Sequence, residues 1–191
     1  MRFIAFAKMQ QRDLVKFKAK PCVVAMWAAE KTLTRPYGHK EFSRVSGSPD
    51  PAIPEVSVLD VWTALDRDGA AQLIDVRTRA EWTYVGVPEL AARGRQVVLA
   101  EWQSFPSNQV DSQFVERLKE ALNGSGSGQQ TELFFMCRSG VRSLAAARAM
   151  TAAGFTRCRN VTGGFEGQLD PDRHRGRLAG WKAAGLPWVQ G

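Results

Sequence analysis

The chain has 191 residues, 44% of them hydrophobic, enough to bury one core with chain to spare. Its formal charge of +7 suggests a nucleic-acid partner, but residues 1–50 hold ten Lys/Arg against four Asp/Glu, and residues 51–191 hold sixteen against fifteen. The basicity belongs to the N-terminal stretch, so the nearly neutral remainder is not expected to bind nucleic acid.

Residues 1–50 are expected to be a basic extension: disordered, removed by processing, or lying upstream of the true start. Within it Lys16, Lys18 and Lys20 precede an apolar run over 21–29 that imitates a secretory core. That run begins late, is short and lacks a convincing cleavage pattern. No stretch reaches the ~18 apolar residues a membrane span requires, so no membrane partner is expected. The cysteines Cys22, Cys137 and Cys158 are odd in number and show no Cys-x-x-Cys spacing. A disulfide framework and a thiolate zinc site are both disfavoured. His39 and His174 lie far apart, so no metal and no cofactor is expected. A reducing compartment, the cytoplasm, suits an unpaired reactive thiol.

The folded domain is expected over 51–191. Turn formers fill 46–54, and apolar residues at 58, 59, 61, 62 and 65 then mark a short amphipathic helix that ends at Asp66-Arg-Asp-Gly69. The pattern predicts a strand over 71–76, a helical turn or two over 79–84 and a buried strand over 96–99. A helix over 110–122 follows, with Phe114, Val115 and Leu118 on its apolar face. Residues 123–128 read as a flexible glycine-serine loop, and 133–136 as a buried strand. An alanine-rich helix then runs to Ala153 with Gly154 as its cap, and 157–161 is a last short strand. Short apolar strands alternating with helices predict an α/β fold, a mainly parallel sheet with helices on both faces. The six tryptophans are scattered and read as core or lid packing.

Cys137 stands at the end of the apolar strand, where ligands of parallel sheets bind. From Cys137 to Ser143 the chain reads Cys-Arg-Ser-Gly-Val-Arg-Ser before the helix. Such a turn favours an anion at sulfur: its amides and the positive helix end converge there, and Arg138 and Arg142 add full charges. The thiolate is the nucleophilic form, so Cys137 is the candidate catalytic residue.

This loop resembles that of single-domain rhodaneses, a sulfurtransferase family, and other segments agree in order. Leu73-Ile-Asp-Val-Arg77 with Glu81-Trp82 resembles the family's "DVR…E[FWY]" segment. Residues 161–167 (Val-Thr-Gly-Gly-Phe-Glu-Gly) and 180–188 (Gly-Trp-Lys-Ala-Ala-Gly-Leu-Pro-Trp) resemble its C-terminal ending. After Glu81 the family usually has Gly-His-Ile-Pro-Gly-Ala, where this chain has Gly86-Val-Pro88. The resemblance implies a rhodanese-like fold over about residues 55–190.

Cysteine-dependent phosphatases use a similar turn, but with five residues between Cys and Arg. Here four separate Cys137 from Arg142, and the smaller ring suits a single transferred sulfur. In the expected two-step reaction Cys137 takes sulfur from a small anionic donor such as thiosulfate, becoming a persulfide. A thiol, cyanide or a protein cysteine then accepts it. Arg138, Ser139, Gly140, Val141, Arg142 and Ser143 are the expected donor-binding residues. Gly140 allows the tight turn. Arg77 and Glu81 have i, i+4 spacing for an ion pair, and the resemblance implies that they and Asp75 support the loops. A non-catalytic sulfur-relay module is the alternative function. Glu101 and Trp102 are candidates for the pocket mouth. Cys158 reads as buried, with a resolving thiol as alternative, and His174 as a surface or packing residue.

Overall fold

The computed structural model describes residues 52–191, and the expected extension over 1–50 lies outside them. Strand β1 (Glu55–Val56) leads into α1 (Val58–Arg67), which starts where the side chains of Ser57 and Asp60 cap each other's backbone N–H groups. Val58, Val61 and Leu65, at helical spacing, are its buried face. Then follow β2 (Gln72–Asp75), α2 (Arg79–Val85), β3 (Val87–Pro88), β4 (Val98–Leu99) and α3 (Phe114–Gly124). The chain continues through β5 (Leu133–Met136), α4 (Val141–Ala152), β6 (Cys158–Val161), α5 (Gly180–Ala183) and β7 (Trp188–Val189).

Five strands form one sheet in the order β1-β6-β5-β2-β4, every pair parallel. Because side chains alternate along a strand, the sheet buries both faces. Ile74 and Phe135 join Leu118, Leu122, Ala147 and Met150 of α3 and α4 on one side. Leu73, Phe134 and Met136 join α1, Phe165 and Trp181 on the other. This is the expected α/β sheet covered on both faces. No helix among the described residues is long and apolar enough to cross a membrane.

The register positions the site. β2 and β5 are neighbours, and Asp75 lies opposite Met136. The segments that leave them, 76–81 and 137–142, therefore emerge side by side at the carboxyl edge of the sheet. The segment after β6 closes the loop from behind: Phe165 N–H donates to the Cys137 carbonyl at 2.8 Å, and Glu166 N–H to the Arg138 carbonyl at 3.0 Å. A Cβ on Gly164 would overlap the Cys137 carbonyl and lie 2.7 Å from the Arg138 carbonyl carbon, so only glycine fits there.

Two expectations are corrected, and one element was not anticipated. The helix expected from 110 begins at Phe114, because Val110 instead bridges to Gln103 and Asp111 accepts the Gln113 N–H. The loop expected to be flexible is a bonded turn: Ser127 N–H reaches the Leu122 carbonyl at 2.9 Å, and Ser127 itself is buried. Strands β3 and β7 pair antiparallel in a separate ribbon that ties the C-terminal arm to the end of α2.

Candidate active site

Cys137 is the first residue after β5, and its side chain is buried. Gly140 N–H points at its Sγ from 3.1 Å, and the Ser143 hydroxyl lies 3.3 Å away. Gly140, at φ 111°, bends the chain back so that its amide faces the sulfur, a conformation an L side chain rarely adopts. Helix α4 starts at the next residue with no side-chain cap. Its first-turn amides are therefore left unclaimed by a capping side chain and confer partial positive charge next to Cys137.

Ser143 is fully buried, and its Oγ also lies 2.7 Å from Asn160 Oδ1 and 3.0 Å from the Gly140 carbonyl. One hydroxyl proton serves three acceptors. An anionic sulfur competes for it best, because a charged acceptor makes the stronger hydrogen bond. Asn160, on β6, belongs to this constellation, and nothing in the sequence pattern singled it out.

Arg142 donates from both guanidinium nitrogens to Glu81, Nη1 to Oε2 at 2.7 Å and Nη2 to Oε1 at 2.6 Å. Glu81 Oε2 also accepts from Thr78 N–H at 2.9 Å and from the Thr78 hydroxyl at 3.0 Å, the reciprocal cap of α2. Burial works to raise the Glu81 carboxyl, but hydrogen bonds from Arg142 and Thr78 and the Arg142 charge outweigh it and hold it at about 2. Arg142 is held above its ordinary value, first by the Glu81 hydrogen bond and then, against burial, by the negative charges of Glu81, Cys137 and Asp75.

The expected Arg77–Glu81 ion pair is therefore corrected. Thr78 caps α2, so Arg77 lies outside the helix and i, i+4 geometry does not apply. Arg77 turns back onto Asp75, Nη2 to Oδ2 at 2.6 Å, with both side chains fully buried. It also donates to the Gly86 carbonyl at 2.6 Å and stacks 4.0 Å over the Phe165 ring. Asp75 and Arg77 thus brace the chain between β2 and α2, while Glu81 braces the thiol loop directly.

Over Cys137 lies a cleft of about 870 Å³ lined by residues including Thr78, Tyr84, Arg138, Ser139, Val141 and Arg175. Of the loop residues expected to bind the donor, Arg138, Ser139, Val141 and Arg142 line it beside Cys137, while Gly140 and Ser143 are buried. Arg138 is exposed at the mouth, whereas Arg142 has its charge matched by Glu81. Arg175 joins the cleft from the C-terminal arm and was not anticipated. Glu101 and Trp102 do not line it. Glu101 accepts the Arg79 N–H at 3.0 Å beside a separate 400 Å³ cleft, and Trp102 packs edge-on against Phe114.

The Rhodanese-like domain family matches residues 57–169, more than half of the chain. The chain belongs to this family. It is 36% identical over 118 residues to the uncharacterised protein RC0915 of Rickettsia conorii, covering 62% of this chain and 82% of that protein. The uncharacterised RP600 of Rickettsia prowazekii matches to the same extent. Among solved structures, Rv0390 from M. tuberculosis is 41% identical with a TM-score of 0.65, covering 72% of this chain and 98% of that one.

Within this rhodanese-like domain Cys158 is buried, and burial raises its thiol above the ordinary value. It pairs in register with Leu133, at the opposite end of β5 from Cys137. Four residues of strand put ~13 Å between the two levels of the sheet, too far for a resolving thiol. His174 is exposed on the C-terminal arm, 3.8 Å from Asp170.

Proposed function

We propose that this rhodanese-like domain is a sulfurtransferase that carries sulfane sulfur on Cys137, taking it from thiosulfate or a persulfide donor and passing it to a thiophilic acceptor. The observation that carries this reading is the seat of Cys137 Sγ: buried at the carboxyl end of a central strand, between the Gly140 amide and the Ser143 hydroxyl, facing a cleft. Those donors stabilise negative charge on the attacking sulfur, and the reaction then needs no separate general base.

In the first step the thiolate attacks the outer sulfur of thiosulfate. The S–S bond of the donor breaks, sulfite leaves with the electron pair, and Cys137 becomes Cys–S–S⁻. In the second an acceptor such as cyanide attacks the outer sulfur, thiocyanate departs, and the thiolate returns. Charge is conserved in both steps and no proton moves. The negative donor is drawn by Arg138 and Arg175, the cleft arginines not committed to a carboxylate among the described residues. Arg142 contributes through its field and by fixing the loop. A cytoplasmic setting agrees with an unpaired thiol of this kind.

Thiocyanate formation from thiosulfate and cyanide tests the reading. The native chain is expected to turn over and Cys137→Ser to show none. Equal turnover by the two proteins refutes it, and activity on an aryl phosphate in place of thiosulfate would select phosphatase chemistry.

A further inference from the structure

The cleft over Cys137 is larger, and more apolar at its rim, than a small sulfur anion needs. Its volume of about 870 Å³ falls in the range of sites that engulf organic ligands many times the size of thiosulfate. Tyr84, Phe105 and Val141 line it while remaining 77%, 70% and 78% exposed. They are the three most exposed large hydrophobic residues among those described, and they come from three separate places: α2, the loop before α3, and the first residue of α4. Large apolar side chains kept in water around one mouth mark an interaction surface.

The charge at that mouth is positive. Of the two glutamates in the cleft, Glu81 is matched by Arg142, and Glu166 lies in the field of Lys182. Arg138 and Arg175 have no carboxylate paired to them among the described residues, and Arg175 is steadied by the Gly167 carbonyl at 2.6 Å. Whatever covers this rim must also bring a nucleophile to Cys137.

We infer that the rim docks a cysteine-bearing polypeptide segment with apolar and acidic side chains, and that its thiol accepts the Cys137 sulfur. The inference rests on the sulfur-transfer reading above and names its acceptor. In the transfer the acceptor thiolate attacks the outer sulfur of Cys137–S–S⁻. The bond between Sγ and that sulfur breaks, leaving Cys137 as thiolate and the acceptor as persulfide. Apolar contact with Tyr84 and Phe105 holds the segment, and acidic side chains meet Arg138 and Arg175. Cyanide uses none of these contacts.

Two synthetic peptides, acetyl-Asp-Leu-Cys-Phe-Asp-amide and acetyl-Lys-Ser-Cys-Ser-Lys-amide, are activated as 2-thiopyridyl disulfides and mixed with the full-length chain. Adduct formation on Cys137 is followed by mass spectrometry of the digested protein, each rate being normalised to that of the same peptide with free cysteine. The acidic, apolar peptide is expected to react about ten-fold faster, and the Tyr84→Ser/Phe105→Ser double variant to lower that ratio at least about three-fold, leaving only the part that Arg138 and Arg175 supply by charge. Both side chains are exposed, so the variant keeps the fold. Equal rates with the native chain, or a ratio that the double variant leaves undiminished, overturn the proposal. A dimer that dissociates on the double substitution assigns the rim to a second copy of the chain and also overturns it. This assay involves no sulfane sulfur. Failure of thiosulfate to load Cys137 would therefore refute the sulfur-transfer reading separately, while equal peptide rates would refute the docking surface alone.

Discussion

Glu81→Gln isolates the contact that holds the thiol loop in place. Glutamine at the third helical position still completes the cap with Thr78, so the substitution removes the charge paired with Arg142 and little else. The carboxyl is held at about 2 against an ordinary 4.5, and at 1.36 kcal/mol per pKa unit this corresponds to roughly 3 kcal/mol. The Arg142 and Glu81 side chains are 21% and 18% exposed, and solvent screening reduces the expected loss at pH 7 to about 2 kcal/mol. Urea unfolding of the two proteins measures it. Because the folded carboxyl is depressed, its contribution is complete above pH 4.5 and fades as the pH falls toward 2. The gap between native and variant should close over that window, while carboxylates common to both proteins cancel. In a double-mutant cycle Arg142→Gln should cost little more once Glu81 is already Gln. Equal stability at pH 7, or a gap undiminished at low pH, would show that the Glu81–Arg142 pair does not hold the loop.

Four further outcomes follow from the same geometry. Arg77→Ala leaves Asp75 charged and buried without its partner, and a loss of about 3–5 kcal/mol is expected in the same unfolding assay. Gly164→Ala places a Cβ against the Cys137 carbonyl; it should displace the thiol loop and lower both stability and thiocyanate formation. Ser143→Ala removes a donor to Sγ and the Asn160 partner. It should slow iodoacetamide alkylation of Cys137 at neutral pH and cost about 1–3 kcal/mol. Cys158→Ala should leave sulfur transfer unchanged, since that thiol is buried at the far end of the sheet.

The parts of the site that lie within one stretch of chain were legible in the sequence. The apolar run 133–136 does form a fully buried strand, and Cys137 and the turn after it do meet at its carboxyl end. The ion pairs were not legible, because they depend on register. Glu81 and Arg142 are 61 residues apart and meet only because β2 and β5 end side by side. A local signal against the expected Arg77–Glu81 pair was present all the same. Thr78 followed by Glu81 three residues later is a capping box, which puts Arg77 outside the helix. Asn160 and Arg175 gave no such signal, since each reaches the site only through long-range folding. The paired ribbon of β3 and β7 was missed because two residues per strand give no periodicity to read.

The proposed carrier of the travelling sulfur is Cys137. Intact mass after incubation with thiosulfate, on the native chain and on Cys137→Ser in parallel, tests it most directly. A serine hydroxyl there meets the same Gly140 and Ser143 groups, so the variant should fold with a loss of roughly 1 kcal/mol. The native chain is expected to gain the mass of one sulfur atom, cyanide to remove it, and the variant to gain nothing. A gain of the same size on the variant, or no gain on the native chain with either thiosulfate or a low-molecular-weight persulfide, would contradict Cys137 as the carrier.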